Sequence, residues 1–241
     1  MRDTPSKDDA SEIAGRPTVG GLLFTCEHAS NRVPSPFRTR PADRRLLASH
    51  WGYDIGARHV TLELARASAG VAALSRFSRL LIDPNRHPDD PTAVLRDCDD
   101  GAPTFNRRPD LADRVARFHV PFHAALDGLV AAGRPRLICS VHSFTPVFRG
   151  HARAMEAGVL FDQHDDLAES LLRALRDVGL RAEANAPYSG KDGLIYSANR
   201  HGSRHAVPYL EIELRQDLIA SDRSTRAVAR KVWRAMRSAG L

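Results

Sequence analysis

Two apolar segments of this chain each end abruptly in a histidine. Residues 21–26 are Gly-Leu-Leu-Phe-Thr-Cys and lead to His28, and residues 137–141 are Leu-Ile-Cys-Ser-Val and lead to His142. Short apolar runs of this kind are typical of buried strands. Because ligands of layered α/β domains gather beyond the carboxyl ends of strands, we expect the two histidines to converge. The pattern predicts a metallohydrolase site that the fold assembles from distant parts of the chain.

Strand and helix patterns alternate along the rest of the sequence. Further strands are predicted at 71–74, 80–82, 158–162 and 207–214, helices at 54–69, 110–132 (kinked at Pro121), 165–178 and 221–238, and long loops at 83–109 and from 187 past 202. Such alternation is typical of a three-layer α/β/α sandwich with a mixed, largely parallel sheet. We therefore predict this α/β fold class.

The first 18 residues are polar and of mixed charge. They are predicted to form a disordered tail, residues 1–18, that precedes a single metallohydrolase domain, residues 19–241. The tail has no apolar centre of the kind found in signal peptides, and no segment has the apolar length of a membrane helix. Three cysteines, two of them in apolar runs, favour a reducing compartment over a disulfide framework. We expect a cytoplasmic protein that does not associate with membranes.

The formal charge of +6 raises the question of nucleic-acid binding. Of the 35 basic residues only Lys7, Lys191 and Lys231 are lysines, and the arginines are spread along the chain beside acids. No basic block alternates with aromatic residues, as a groove for stacked bases requires. Nucleic acid is therefore not an expected partner.

A catalytic zinc ion takes three protein ligands from histidine and carboxylate and leaves one position for water. Asp54, at the predicted start of a helix, is the third ligand that we favour beside the two histidines. An aspartate at a helix start is also an ordinary cap, and Glu27 and Asn31 compete for the same coordination position. The third ligand therefore stays open at this point.

A hydrolase also needs a base, and the strand at 207–214 offers two. Glu211 and Glu213 share one strand face because side chains alternate with period two, while residues 210, 212 and 214 (Leu, Ile, Leu) take the other face. Asn85 and Arg86 follow the apolar run at 80–82, and the planar guanidinium of arginine suits bidentate binding of a carboxylate. A solvated strand face and a surface salt bridge are the competing interpretations of these two features.

Taken together, these segments resemble the N-formylglutamate amidohydrolase family over residues 20–220. The matching segments are Cys-Glu-His-Ala-Ser-Asn at 26–31, Asp-x-Gly at 54–56, Ser-Arg at 78–79, Asp-Pro-Asn-Arg at 83–86, Pro-Phe-His at 121–123, Val-His-Ser at 141–143 and Glu-Leu-Arg-Gln-Asp-Leu at 213–218. The family is similar in fold to zinc carboxypeptidases and aspartoacylase-type deacylases. The resemblance implies metal ligands at His28, Asp54 and His142, a catalytic acid at Glu213, and a carboxylate-binding pair formed by Asn85 and Arg86.

The implied activity is metal-dependent cleavage of the N-formyl or N-acyl group of a small acidic amino acid. The expected cofactor is one divalent metal, with zinc favoured, and the default substrate is N-formyl-L-glutamate, which yields L-glutamate and formate. The candidates for a second substrate carboxylate are Arg79, Arg149, Arg200 and Arg215. The alternatives are another N-acyl amino acid or small-peptide amidase, a carboxypeptidase-like hydrolase, and a non-catalytic carboxylate-binding relative. The protein is expected to be a monomer or a homodimer.

Overall fold

A computed structural model describes residues 10–241 of the chain. The described strands are β1 (Ser11–Ala14), β2 (Leu22–Cys26), β3 (Val71–Ser75), β4 (Leu137–Phe144), β5 (Val147–Phe148), β6 (His151–Ala152), β7 (Ala157–Leu160), β8 (Ala182–Ala184) and β9 (Tyr209–Arg215). The described α-helices are α1 (Arg44–Leu47), α2 (Ala57–Ser68), α3 (Leu111–Arg114), α4 (Val120–Gly133), α5 (Asp165–Asp177), α6 (Tyr196–His205) and α7 (Asp222–Ser238). A π-helix spans Val115–His119, and 3-10 helices span Pro41–Asp43, Thr104–Asn106, Gly190–Asp192 and Gln216–Ile219.

The main sheet has seven strands in the order β1-β3-β2-β4-β9-β7-β8. Strands β3, β2, β4 and β9 run parallel, whereas β1 is antiparallel to β3 and β7 is antiparallel to β9. Strand β8 runs parallel to β7, and β5 and β6 form a separate hairpin. The predicted fold class, an α/β protein with a mixed and largely parallel sheet, is confirmed.

Apolar side chains cover both faces of the sheet, which places helices on either side. On one face, α2, α5 and α7 contribute residues such as Leu64, Leu171 and Val232 to a core that includes the strand residues Leu210 and Ile212. On the other face, α4 and α6 pack their apolar side chains against the first residues of the central strands. The three layers are therefore helices, sheet and helices.

The face of the sheet that α4 and α6 cover changes character along the strands. Ile138 and Tyr209 begin this face with apolar side chains that join the core. Two positions further along β4 and β9 come Ser140 and Glu211, and then His142 and Glu213, which pair in register. Since side chains on one face recur every second residue, polar chemistry is concentrated at the carboxyl ends of the central parallel strands.

Most of the predicted elements are confirmed with small shifts at their ends. The helix predicted at 110–132 is interrupted: α3 is followed by the π-helix Val115–His119, and α4 begins just before Pro121. Proline supplies no backbone N–H and crowds the preceding turn, so regular α-helical hydrogen bonding is interrupted there. The kink predicted at Pro121 therefore corresponds to an irregular segment immediately before it.

Two predictions within the domain are wrong. Residues 80–82 form no strand; they lie in a turn, and their three apolar side chains are fully buried beneath the loop that follows. The predicted loop running past residue 202 contains helix α6. Apolar composition alone cannot distinguish a strand from a buried turn, and the glycines around α6 weaken its helical pattern.

The predicted disordered tail, residues 1–18, is wrong for Ser11–Ala14, which form the edge strand β1. This strand pairs with β3, and Arg58 of α2 donates to both carboxylate oxygens of Glu12 at 2.7 and 2.9 Å. The polar sequence of β1 gives no local strand signal, because its hydrogen-bond partners come from β3. Residues 1–9 lie outside the described residues.

No helix between residues 10 and 241 has both the length and the apolar character needed to cross a bilayer.

Candidate active site

The two histidines that follow apolar segments converge, as predicted. His28 follows β2 and His142 lies within β4, its neighbour in the sheet, and the two imidazole centroids are 4.6 Å apart. Asp54 joins them: its carboxylate lies 3.4 Å from Nδ1 of His28 and 2.8 Å from Nδ1 of His142. All three residues are buried. We call His28, Asp54 and His142 the cavity cluster.

The outer nitrogen of each histidine in the cavity cluster contacts a buried carboxylate. Nε2 of His28 donates to Asp83 Oδ1 at 2.7 Å, and Nε2 of His142 donates to Glu27 Oε2 at 3.0 Å. Histidines that bind metals commonly donate their second N–H to such a partner, which fixes the tautomer and leaves the other nitrogen free to coordinate. The arrangement therefore directs Nδ1 of both rings toward Asp54.

The donor set of the cavity cluster fits a divalent metal ion. Ligand atoms about 2.0 Å from a tetrahedral ion are about 3.3 Å apart, close to the separations within the cluster. Nδ1 of His28 is buried and has no hydrogen-bond partner among residues 10–241. A lone pair in that position is what a metal ligand requires. Two imidazoles and a carboxylate also match the ligand types of catalytic zinc.

The backbone around Asp54 explains why its carboxylate faces the histidines rather than capping α2. The N-cap of α2 is Gly56, whose φ is 84° and which provides no side chain. A Cβ at Gly56 would lie 2.5 Å from the Ile219 carbonyl oxygen, so glycine fits this position better than any residue with a side chain. The Asp54 N–H donates to the His28 carbonyl, and its carboxylate accepts from the Ser143 N–H at 3.1 Å. The cap interpretation of Asp54 is wrong.

The other two candidates for the third ligand lie elsewhere. Glu27 is fully buried, but its carboxylate is on the outer side of His142, where it also accepts a hydrogen bond from Ser140 Oγ at 2.6 Å. Asn31 is exposed and lines a different surface depression. Of the three candidates, Asp54 is the residue whose carboxylate lies within 4.8 Å of a ring nitrogen of both histidines.

Glu211 and Glu213 share a strand face, as predicted, and both line the cavity. Glu213 is opposite His142 in the β4–β9 register, and its Oε2 is buried without a hydrogen-bond partner among the described residues. Glu211 lies 3.5 Å from Nε2 of His142 and accepts a hydrogen bond from the Asn85 amide at 3.2 Å. The interpretation as a solvated strand face is wrong, since both side chains are buried.

The pKa values of the acids around the cavity cluster are shifted in opposite directions. Burial raises the pKa of Glu213 well above its ordinary value, and it raises the pKa of Glu211 to about 7 although His142 opposes that shift. Burial acts on Glu27 in the same direction, but hydrogen bonding and charge from His142 outweigh it and lower the pKa to about 2. The site therefore combines ionised carboxylates with proton-holding ones.

The cavity cluster opens into a cavity of about 280 Å³. Arg79 and Arg86 line it. Arg79 contacts Asp83 at 2.7 Å and Asp54 at 3.7 Å, while the nearest acid to Arg86 is Asp90 at 3.9 Å. Arg86 is therefore less strongly paired with acids of the protein than Arg79 is.

The remaining predicted carboxylate-binding residues have other contacts. Asn85 lines the cavity, but its amide donates to Leu194 O and Glu211, and its oxygen accepts from the Ser197 N–H. Both amide hydrogens of Asn85 are used within the protein. The other three arginines proposed for a second carboxylate, Arg149, Arg200 and Arg215, do not line the cavity; Arg149 and Arg215 bind Asp99 and Asp217.

Aromatic side chains also line the cavity and form what we call the aromatic wall, which was not predicted from the sequence. Its members are Trp51, Phe144, Phe148 and Tyr188, together with His50. The His50 ring is 4.7 Å from Trp51 and 6.2 Å from Phe148, measured between centroids. Single aromatic residues scattered over strand ends and loops carry no local signal of convergence. The roles of Glu27 and Asp83 as outer partners were also missed, although acids beside a metal-ligand motif are a usable signal.

A second group of histidines lies between α4 and α6. It consists of Asp127, His201 and His205, whose carboxylate and imidazole atoms lie within 4.8 Å of one another, and we call it the helix cluster. His123 connects to it, because its Nδ1 is 2.9 Å from Nε2 of His201. His119 and His123 contact the backbone carbonyl oxygens of Arg86 and Pro84, each at 3.0 Å through Nε2.

Fold and site together define an α/β protein with a buried histidine–carboxylate cluster at the carboxyl ends of its central strands. A family model described as N-formylglutamate amidohydrolase matches residues 20–220. The chain belongs to this family, and it is accordingly a hydrolase that acts on amides.

Solved structures agree. The chain is 30% identical to the gene product Atu2144 from Agrobacterium tumefaciens, with 98% of both chains covered and a TM-score of 0.90. It is 19% identical to an N-formylglutamate amidohydrolase from Ralstonia eutropha JMP134, with 96% of this chain and 98% of that chain covered and a TM-score of 0.73. A bacteriophage poly-gamma-glutamate hydrolase is 11% identical at a TM-score of 0.50, with 96% and 88% covered. The last two similarities show a shared fold. No curated protein matches the chain.

Proposed function

We propose that this protein is a metal-dependent amidohydrolase that removes the N-acyl group of a small amino acid, with N-formyl-L-glutamate as the default substrate and L-glutamate and formate as products. His28, Asp54 and His142 would hold one divalent metal ion, with zinc favoured. One observation carries the proposal: both imidazoles present Nδ1 to Asp54 while buried carboxylates hold their outer nitrogens. That arrangement is typical of metal ligands.

When bound, the metal polarises the acyl carbonyl, lowers the pKa of the attacking water and favours the ionised form of nearby carboxylates. Glu213 is the base in this proposal. It lines the cavity next to the cavity cluster, and its Oε2 has no competing hydrogen bond among the described residues. It would accept the proton of the attacking water and pass it to the departing amine.

Glu211 is less suited to that role because Asn85 already donates a hydrogen bond to it. Asn85 therefore serves in this proposal to position Glu211 rather than to bind substrate. The assignment separates the two acids that share a strand face: Glu213 has an oxygen without a hydrogen-bond partner among the described residues, and Glu211 is held by an amide.

Arg86 would bind the substrate α-carboxylate, since it lines the cavity and its nearest acid is 3.9 Å away. A bidentate arginine–carboxylate pair fixes orientation as well as distance. Arg79, held by Asp83 and Asp54, would add positive charge where the carbonyl oxygen becomes negative.

The decisive test is formate release from N-formyl-L-glutamate by the purified protein before chelation, after removal of all metal, and after addition of Zn²⁺. We expect activity to disappear and to return. His28→Gln should abolish it, whereas His151→Gln, which changes an exposed histidine, should not. Turnover that survives complete removal of metal would overturn the metal dependence. Stoichiometric metal without turnover on any acylated amino acid would indicate a non-catalytic carboxylate-binding relative.

A second candidate substrate is an N-acyl amino acid with one carboxylate and a large apolar group. The aromatic wall favours it: four aromatic side chains line the cavity, and the cavity-lining cations are Arg79 and Arg86, of which Arg79 already contacts two acids. Burial lowers the pKa of His50, which favours a neutral ring that would not bind a second carboxylate as a cation. Aromatic rings stabilise apolar groups by burial and stacking.

A substrate panel distinguishes the two candidates. We would compare kcat/KM for N-formyl-L-glutamate, N-formyl-L-phenylalanine and N-acetyl-L-phenylalanine, in the wild type and in Trp51→Ala. A preference for phenylalanine derivatives that Trp51→Ala reduces supports the second candidate. A preference for the glutamate derivative that is unaffected by Trp51→Ala supports the first.

The three cysteines are buried and unpaired. Burial raises the pKa of Cys26 to about 12 and that of Cys98 to about 11, which keeps both thiols protonated and unreactive near neutral pH. These features support the proposal that the enzyme acts in a reducing compartment, the cytoplasm.

A further inference from the structure

The helix cluster lies outside the cavity, in the interface between α4 and α6. Asp127 comes from α4, and His201 and His205 come from α6, where their i, i+4 spacing puts both rings on one face. Asp127 Oδ1 lies 2.9 Å from Nδ1 of His201 and 2.9 Å from Nε2 of His205. One carboxylate oxygen therefore faces two imidazole nitrogens at once.

Hydrogen bonds behind the cluster determine the tautomer of His201. Nε2 of His123 lies 3.0 Å from the Pro84 carbonyl oxygen, which can only accept, so this nitrogen carries a hydrogen. His123 is 1% exposed and has no carboxylate partner among the described residues, which makes a charged ring unfavourable there. In the neutral ring Nδ1 is an acceptor, and it faces Nε2 of His201 at 2.9 Å. Nε2 of His201 must therefore be the donor.

This chain of donors leaves Nδ1 of His201 as the lone-pair nitrogen of a neutral ring. It faces the oxygen of Asp127, so two acceptors are 2.9 Å apart and need a positive charge between them. A proton on Nδ1 of His201 would provide this charge for the contact between His201 and Asp127. A metal ion would provide it for His201, His205 and Asp127 together. The hydrogen bond that Nε2 of His201 donates is of the kind that metal-binding histidines usually make with their second nitrogen.

We propose that Asp127, His201 and His205 form a second site for a divalent transition metal ion of the zinc class, separate from the cavity cluster. Coordinating atoms around a tetrahedral ion are about 3.3 Å apart, so the two 2.9 Å contacts need to open by about 0.4 Å. The side chains of Asp127 and His205 are each 24% exposed and have room to adjust. Arg204 contacts the other oxygen of Asp127 at 3.4 Å, and its side chain is 61% exposed, so it can withdraw.

The proposed ion is structural. The helix cluster does not line the cavity, and no base or substrate-binding residue contacts it among the described residues. It joins α4 to α6, and through His123 it reaches the carbonyl of Pro84. Pro84 lies between Asp83, which holds His28, and Asn85, which holds Glu211. The second ion would brace the segment that supports the active site.

Metal content per chain tests the proposal. The full-length protein is stripped with a chelator, dialysed against Zn²⁺ and analysed for bound metal, together with Asp127→Asn, His205→Gln and the control His151→Gln. We expect wild type and control to hold one more ion per chain than the two cluster variants. In competition with a chelator, affinity at this site should fall at least about 100-fold in the variants, more than for loss of an outer partner.

The His28→Gln/His142→Gln double variant makes the result independent of the cavity cluster. It should retain one ion per chain, and adding His205→Gln should remove that ion. If the helix-cluster variants fail to fold, the metal content of the double variant still tests the proposal. Retention of no ion by the double variant, or equal metal content in wild type, Asp127→Asn and His205→Gln, would overturn the proposal and leave a protonated His201 paired with Asp127.

Discussion

The cavity cluster and the helix cluster both combine two histidines with one aspartate, but they are built differently. The histidines of the cavity cluster lie at the carboxyl ends of two neighbouring parallel strands, His142 within β4 and His28 just after β2, and the cluster opens into a cavity. The helix cluster takes both histidines from one turn of α6 and its aspartate from α4. Similar donor sets thus arise in one case from the topology of the sheet and in the other from local helical spacing.

The surroundings of the two clusters differ more than their ligands. Glu27, Glu211 and Glu213 surround the cavity cluster, and burial and charge separate their pKa values widely. The helix cluster has an imidazole, a carbonyl and an exposed arginine around it. Proton transfer needs a base near the reacting atoms. Glu211 and Glu213 line the cavity beside the cavity cluster, whereas the helix cluster does not line it. The comparison supports the two proposals, catalysis at the cavity cluster and a structural ion at the helix cluster.

The largest expected effect is on Glu213. Glu213→Gln keeps the size of the side chain but removes the base, so kcat for formate release should fall by about 10²–10⁴ with little change in metal content. Steady-state kinetics and metal analysis measure both, and Glu183→Gln, on the exposed part of β8, is the matched control. If His205→Gln lowers kcat as much as Glu213→Gln does, the proposal that the helix cluster is structural and not catalytic is contradicted.

The next effect is on stability as a function of pH. In the metal-free protein the pKa of Glu211 is about 7, above its ordinary value of 4.5, so its ionisation opposes folding and stability falls as pH rises from about 4.5 to 7. The loss amounts to about 3 kcal/mol. Glu211→Gln should remove it, as urea unfolding at both ends of that range would show.

The helix cluster should behave in the opposite way. Burial raises the pKa of Asp127, but hydrogen bonds and charge from His205 and His201 outweigh burial and lower it overall. A carboxylate with a lowered pKa stabilises the fold above its ordinary value of 3.8, and this contribution is lost as pH falls through the folded pKa. The stability difference between wild type and Asp127→Asn should therefore shrink on acidification. A difference that grows would contradict the assigned charge.

A smaller effect is expected for the outer partners of the cavity cluster. Glu27→Gln and Asp83→Asn should each weaken metal binding by about 10–100-fold, because they no longer orient and polarise the ligating imidazoles. Competition with a chelator measures the change, and Glu183→Gln and Asp177→Asn, at exposed positions, are the controls. Unchanged affinity in both variants would mean that the ligands do not depend on their outer carboxylates.

The smallest effects concern two glycines, one beside each cluster. Gly56→Ala should lower the free energy of unfolding by about 1–2 kcal/mol, because φ is 84° and the new Cβ would meet the Ile219 carbonyl. Gly128→Ala, next to Asp127 in α4, meets nothing within 4 Å and should raise it by about 0.5–1 kcal/mol. Chemical denaturation distinguishes the two signs. The same sign for both would show that backbone conformation does not separate these positions.

Much of the fold followed from local patterns, and the exceptions share a cause. Helices α2, α5 and α7 have periodic apolar faces against the sheet and were predicted to within a few residues. Strand β1, the turn at 80–82 and helix α6 were not, because their structure depends on partners far along the chain. Local periodicity reports which side of an element is buried, but not what covers it.

For the site, the sequence alone determined that His28 and His142 end apolar segments and that Glu211 and Glu213 share a face, because these follow from strand geometry. Tertiary structure decided that Asp54 rather than Glu27 or Asn31 meets both histidines, and that Glu27 and Asp83 hold their outer nitrogens. It also brought His123 and Asp127 to His201. Such contacts depend on the register of neighbouring strands and on helix packing, which bring together residues with no neighbouring signal in the sequence.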